Sequence, residues 1–121
     1  KSTPAINGAA TGDQTYEYIC HLRKGVVSMP ERLGPNLVSY PRPSATKYPT
    51  ERPLDILKFF IENCTLEGEL VIDPCCGSGG HLVAAIQTNR RALGCDLNPE
   101  AIKVTKSRLV LETSYETSQD T

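Results

Sequence analysis

The sequence predicts a parallel α/β fold, a partial open sheet with helices on its faces, and three features carry that expectation. Two short β-rich runs, ELVID at residues 69–73 and ALGCD at residues 92–96, each end on an aspartate. A glycine-rich turn and a helical stretch lie between them, and a second helical stretch with its own cap follows. Strand, helix, strand, helix in that order is the pattern of a right-handed parallel unit.

The elements follow in chain order. Residues 1–15 (KSTPAINGAATGDQT) are small and polar without periodicity, and are expected to form a flexible N-terminal segment. YEYICHL at 16–22 alternates and is rich in aromatic and β-branched residues, which predicts a strand closed by Arg23, Lys24 and Gly25. Between residues 26 and 49 the prolines at 30, 35, 41, 43 and 49 interrupt every pattern, so an irregular connection is expected, with a short strand at 36–40. Pro53 suits a first helical turn, and Leu54, Leu57, Ile61 and Cys64 follow at helical spacing, giving an amphipathic helix that ends near Asn63. Residues 69–73 read as a buried parallel strand, 81–89 as helix and 92–96 as a second strand. Asn98 is placed to cap a last helix, with Pro99 first inside it and Glu100 in the opening turn; Ile102, Thr105 and Leu109 then share a face. The tail at 113–121 cannot bury a face and is expected to be flexible, so residues 16–112 form the folded part, with three or four strands in all.

Composition narrows the function. Thirteen basic and fourteen acidic side chains give a formal net charge of −1, so the chain as a whole carries no electrostatic footprint for nucleic acid, and any such surface is local. Cys20, Cys64, Cys75, Cys76 and Cys95 form an odd set with no C-x-x-C pair, which fits free thiols in a reducing compartment and neither a disulfide framework nor a structural zinc site. His21 and His81 do not stand at metal-ligand spacing, so no metal is expected. No apolar run approaches the roughly 20 residues that cross a bilayer. A cytoplasmic protein is the expectation.

In an open parallel sheet the ligand lies beyond the carboxyl ends of the strands, where both Asp73 and Asp96 fall. Gly77, Gly79 and Gly80 permit close backbone approach, and the amides that open the next helix can bind an electronegative group. A G-x-G-x-x-G fingerprint starting at Gly77 needs glycine at position 82, which is Leu82, and no G-x-x-x-x-G-K-[ST] loop exists. This argues against a nicotinamide-dependent oxidoreductase domain. Asp96 stands 17 residues beyond Gly79, near the roughly 20-residue offset at which an acidic side chain meets ribose hydroxyls.

DPCCGSGG, then LGCDLNPEAI, preceded by YPTERPLDILKFFIENCTLEGELVI, resemble the S-adenosylmethionine-dependent DNA amino-methyltransferases, whose usual wording is H-P-T-E-K-P, D-P-F-x-G-S-G-T-T and G-x-E-x-N-P. The likeness runs over residues 48–109 in the family's order and spacing. It implies a Rossmann-like methyltransferase fold, S-adenosylmethionine as cofactor, DNA as partner, and methylation of an exocyclic amine of adenine or cytosine, as in restriction-modification systems. It places Tyr48, Pro49, Thr50 and Arg52, with Asp73, Pro74, Cys75, Gly77, Ser78 and Gly79, around the methionine end of the cofactor, and Asp96, Leu97 and Asn98 at its ribose. The chemistry agrees: a carboxylate complements the cofactor's sulfonium and ammonium, and a ribose diol offers two donors.

The chain departs from that wording at several places. Tyr48 stands for histidine, Arg52 for lysine, Cys75 and Cys76 for an aromatic and a small residue, Gly80 and His81 for two threonines, and Asp96 for glutamate. Cys75 and Cys76 lie near a helix N-terminus, which lowers thiol pKa, yet no Cys/His/carboxylate arrangement supports a nucleophile there, so they read as turn-lining residues. Arg23, Lys24, Arg90 and Arg91 read as solvated charges. The family's D/N/S-P-P-Y/F acceptor tetrapeptide does not occur in the chain. In the permuted class it precedes the cofactor block, so its expected place is before Lys1, in a longer methyltransferase that this chain completes; the other reading is a non-catalytic binding module. Without that segment an unpaired sheet edge is expected, inviting a homodimer.

Overall fold

The computed structural model describes residues 18–22, 24–25, 38–40 and 51–113 of the chain. Within the last of these stretches the order is α1 (Leu54–Cys64), β1 (Leu70–Asp73), α2 (Gly80–Gln87), β2 (Arg91–Gly94) and α3 (Pro99–Thr113). β1 and β2 pair in parallel, with Leu70 opposite Arg91 and Asp73 opposite Gly94.

Each helix starts where local chemistry allows it. Pro53 stands one position earlier than expected, as the residue before α1, with φ −56° and ψ 129°. At α3, Asn98 Oδ1 accepts the Glu100 N–H at 3.0 Å with Pro99 between them, the expected cap. The core is the seam between α1 and α2: Leu57 and Ile61 pack with Ala84 and Ala85, flanked by Leu54, Ile56, Val71 and Ala92. The alanines let the helices approach closely, and burying the two large aliphatic side chains contributes about 1.5–3 kcal/mol each.

The sheet is not buried on both faces, as its apolar runs had suggested. Burial alternates along both strands, and Leu70, Ile72 and Leu93 lie 42%, 61% and 57% exposed. The half-buried positions Val71 and Ala92 meet the α1–α2 seam, and the described residues leave the other face bare. Among the described residues there are two strands rather than three or four. Residues 18–22 of the expected strand at 16–22 are exposed and pair with neither β1 nor β2, and alternation without a paired edge does not make a strand. Residues 38–40 also form no strand; Tyr40 instead sets its ring 6.1 Å from Phe59 of α1. The remainder of both predicted strands, with Arg23, falls outside the described residues.

Arg90 is the clearest correction. It is buried, at 9% exposure, rather than solvated. Its Nε and Nη2 donate to Thr65 Oγ1 and the Thr65 carbonyl at 3.0 and 2.8 Å, and Nη1 donates to the Thr88 carbonyl at 2.5 Å. Thr65 and Thr88 end α1 and α2. One guanidinium therefore serves two helix C-termini, where the backbone dipoles favour a cation and leave carbonyls in need of donors. Arg91 is exposed and bonds the Gly68 carbonyl at 3.0 Å.

Candidate cofactor crevice at the strand ends

Parallel register puts the two aspartates on one rim: Asp73 closes β1, and Asp96 lies two residues beyond the end of β2. The turn between β1 and α2 is held from both sides. Cys95 N–H donates to the Asp73 carbonyl at 3.1 Å and Cys76 N–H to the Cys95 carbonyl at 2.9 Å, so the strands stay joined past their formal ends. Asp96 Oδ2 accepts the Gly77 N–H and its Oδ1 accepts the Asn98 N–H, both at 2.9 Å. These backbone donors, Asn98 first and Gly77 next, hold the Asp96 carboxyl below its ordinary value of 3.8. The carboxylate is thus ionised and oriented, with lone pairs left over for a further donor.

Asp73 has a similar arrangement. Oδ1 accepts the Cys75 N–H at 3.0 Å and Oδ2 meets His81 Nδ1 at 2.9 Å. The turn-capping role that aspartate often plays before glycine-rich loops is therefore present, and it fixes the carboxylate on the crevice rim.

The glycines divide the labour. Gly79, at φ +80°, lies so close to Thr105 that an added Cβ would fall 2.7 Å from Thr105 Cγ2, so it is required by packing against α3. Gly77, at φ +52°, has nothing within 4 Å of that position, so its side is open space rather than protein. Thr105 Oγ1 bonds the Gly77 carbonyl at 2.8 Å and pins the turn from below.

The other expected residues fall as follows. Ser78 lines the back of the turn, where Arg108 Nη1 reaches its carbonyl and Oγ at 3.4 and 3.3 Å. Pro74 and Cys75 are exposed on the rim, and Leu97 is fully exposed beside Asp96. Cys76 is buried, and burial pushes its thiol up, in line with its reading as a turn-lining residue. Arg52 is exposed; Tyr48, Pro49 and Thr50 lie outside the described residues.

Sequence reasoning passed over Arg108. Its guanidinium is buried, with Nη2 2.6 Å from Glu51 Oε1 and Nε 2.7 Å from Glu112 Oε1. It ties Glu51 to the glycine turn and to α3. The available signal was the i, i+4 Arg-Glu pair on the Thr105 side of α3. Among the described residues no cluster of histidine, cysteine and carboxylate can hold a metal ion, and no helix is long and apolar enough to cross a membrane.

A parallel βαβ unit with paired acidic residues and a glycine turn at its carboxyl end defines a nucleotide-type crevice, and comparison with known proteins specifies it further. The family model described as DNA methylase (N6_N4_Mtase) matches residues 29–107, and the chain belongs to that family. YubD of Escherichia coli K12 is 33% identical over 88 residues, which is 73% of this chain and 39% of YubD. The type II methyltransferase M2.DpnII of Streptococcus pneumoniae is 38% identical over 68 residues, 56% of this chain and 25% of its own length. The chain therefore spans about two fifths or less of these relatives. Among solved structures, the M1.HpyAVI–SAM complex superposes with a TM-score of 0.51 at 31% identity, covering 62% of this chain and 40% of that one. TTHA0409 of Thermus thermophilus gives 0.50 at 34% identity, covering 50% and 26%.

Proposed function

We propose that this chain is the S-adenosylmethionine-binding portion of a DNA methyltransferase that acts on the exocyclic amine of adenine or cytosine. One arrangement carries the reading: Asp73 and Asp96 stand at neighbouring strand ends on either side of a turn whose Gly77 opens onto free space. The donor set suits the cofactor. Asp73, with Pro74, Cys75, Ser78, Gly79 and the upstream Tyr48, Pro49, Thr50 and Arg52, takes the methionine end, where a carboxylate offsets positive charge. Asp96 keeps acceptor capacity for the ribose hydroxyls, the Gly77 side leaves room for backbone approach, Asn98 holds the Asp96 carboxylate, and exposed Leu97 offers an apolar surface to the adenine. When bound, S-adenosylmethionine supplies an electrophilic methyl group on its sulfonium.

The acceptor half of the site is a different matter. Methylating a base amine requires the base to leave the stack and an acceptor for the amine's hydrogens. With no D/N/S-P-P-Y/F tetrapeptide in its sequence, the chain by itself binds cofactor and transfers no methyl group to DNA. A segment bearing that tetrapeptide completes the site in the whole protein, which works in the cytoplasm. The sheet edges left free among the described residues suit that segment or a second copy of the chain.

Calorimetric titration of the 121-residue chain with S-adenosylmethionine tests the cofactor reading, with Asp96→Asn as the variant. Loss of about tenfold or more in affinity is expected, since hydrogen bonds to a charged group are among the stronger ones. Unchanged affinity moves the site away from Asp96. Transfer of labelled methyl groups to duplex DNA by the chain alone would contradict the division of the site.

A further inference from the structure

His81 occupies the position where the resembling sequences carry threonine, and the fold gives it a specific contact. Its Nδ1 lies 2.9 Å from Asp73 Oδ2, with the imidazole side chain 49% exposed and the Asp73 side chain 14% exposed. The other Asp73 oxygen is committed to the Cys75 N–H inside the turn. A cation that approaches Asp73 therefore meets a carboxylate whose second oxygen, the one the turn backbone does not hold, already carries His81.

We propose that His81 is an affinity-setting residue of the cofactor crevice: it competes with the cationic methionine end of S-adenosylmethionine for the Asp73 carboxylate, and competes hardest when the imidazole is protonated. The inference rests on the reading of this crevice as the cofactor site. Histidine is the side chain whose charge ordinarily changes in the range from about pH 5 to 8. A neutral imidazole donates one hydrogen bond to Asp73 and leaves its charge intact. An imidazolium also neutralises the carboxylate, and the ligand's positive charge then meets a pair with no net charge.

The surrounding charges do not take over this role. α2 carries no other titratable side chain. The elements packed against it bring Asp73 from β1, Arg91 from β2 and Asp96 just beyond it, the Cys76 thiol from the turn, Asp55, Lys58, Glu62 and Cys64 from α1, and Glu100, Lys103, Lys106, Arg108 and Glu112 from α3. Asp96 is held by Gly77 and Asn98, Arg108 by Glu51 and Glu112, and Cys76 lies 4.0 Å from Thr105 Oγ1. Among the described residues, Asp73 is the ion-pair partner of His81.

The test is calorimetric titration of the 121-residue chain with S-adenosylmethionine at about pH 5.5 and about pH 7.5, on either side of the ordinary histidine pKa, for the native protein and for His81→Thr, His81→Gln and Asp73→Asn, with circular dichroism confirming that each is folded. Comparing variants at one pH cancels the cofactor's own ionisation. His81→Thr should bind about two- to fivefold more tightly than the native chain at the lower pH, the range set by a partly exposed ion pair, with a smaller gain at the higher one. His81→Gln, a neutral side chain of related reach, should show the same low-pH gain. Equal or weaker binding by both His81 variants at the lower pH, with Asp73→Asn still weakening affinity, overturns the competition while leaving the cofactor site standing. Absence of binding by the native chain, or full affinity in Asp73→Asn, overturns the cofactor reading at Asp73 and this inference with it.

Discussion

Replacing Arg108 with methionine removes a charge that is 1% exposed and keeps most of the side-chain volume. Two contacts dominate what is lost, the bonds to Glu51 at 2.6 Å and Glu112 at 2.7 Å; those to Ser78, at 3.3 and 3.4 Å, are long and contribute little. A hydrogen bond to a charged group contributes about 1.5–3 kcal/mol, and breaking a buried pair from one side costs about 3–5 kcal/mol because a charge is left without compensation. Here the stranded carboxylates are 15% and 28% exposed and can draw in water, and methionine has no charge to desolvate, so the lower end applies. Arg108→Met is expected to cost about 3 kcal/mol, read as a lower urea midpoint at unchanged slope. Glu112→Gln, at the more exposed end, is expected to cost about 1 kcal/mol or less. The Arg108→Met cost should persist in high salt, because buried pairs are poorly screened. A change within about 0.5 kcal/mol, the range of ordinary surface substitutions, would falsify the view that this guanidinium holds the turn to the upstream block.

Gly79→Ala should destabilise the chain by about 2–4 kcal/mol, since it combines left-handed strain with a contact into Thr105 that is too short for a real Cβ; differential scanning calorimetry reads this, and an unchanged midpoint refutes the packing. Gly77→Ala has open space, so only strain of about 1–2 kcal/mol is expected in stability, while cofactor affinity should collapse because the methyl group enters the crevice. Asp96 has a lowered folded pKa, so its contribution to stability is complete above its unfolded value of 3.8 and is lost as pH falls towards the lowered folded value; Asp96→Asn should flatten that part of the acid-unfolding curve. Thiol labelling at neutral pH should modify exposed Cys75 and Cys95 rapidly and buried Cys76 slowly, with cofactor protecting Cys75; rapid labelling of Cys76 in the folded chain would contradict its placement.

The elements between Pro53 and Thr113 were legible because each is specified locally. Apolar spacing marks α1, the β-rich runs mark the strands, and the Asn98-Pro99-Glu100 sequence writes its own cap. The two aspartates could be placed together for the same reason, since a short βαβ unit leaves little freedom in where its strand ends fall. Arg90 and Arg108 were not legible. A buried arginine and a solvated one have the same sequence signature, and the difference lies in partners such as Thr65, 25 residues from Arg90, and Glu51, 57 residues from Arg108. The His81–Asp73 contact escaped because the rotation of α2 decides which first-turn side chain meets the carboxylate. The strand predicted at 16–22 shows the opposite limit: alternation states a preference for extended backbone, and pairing needs an edge that local sequence does not supply.

The spacing of the contacts around Gly77 orders how the crevice comes together during folding. Gly77 to Asp96 spans 19 residues, Thr105 to Gly77 spans 28 and Arg108 to Ser78 spans 30, whereas Arg108 to Glu51 spans 57. Closing a chain segment costs entropy that grows with its length, by about 0.6 kcal/mol for each doubling, and the longest closure is favourable only after the shorter ones have fixed its far end. On this ordering the turn and both carboxylates are expected to assemble first, from residues 70–108, with Glu51 docking last onto Arg108.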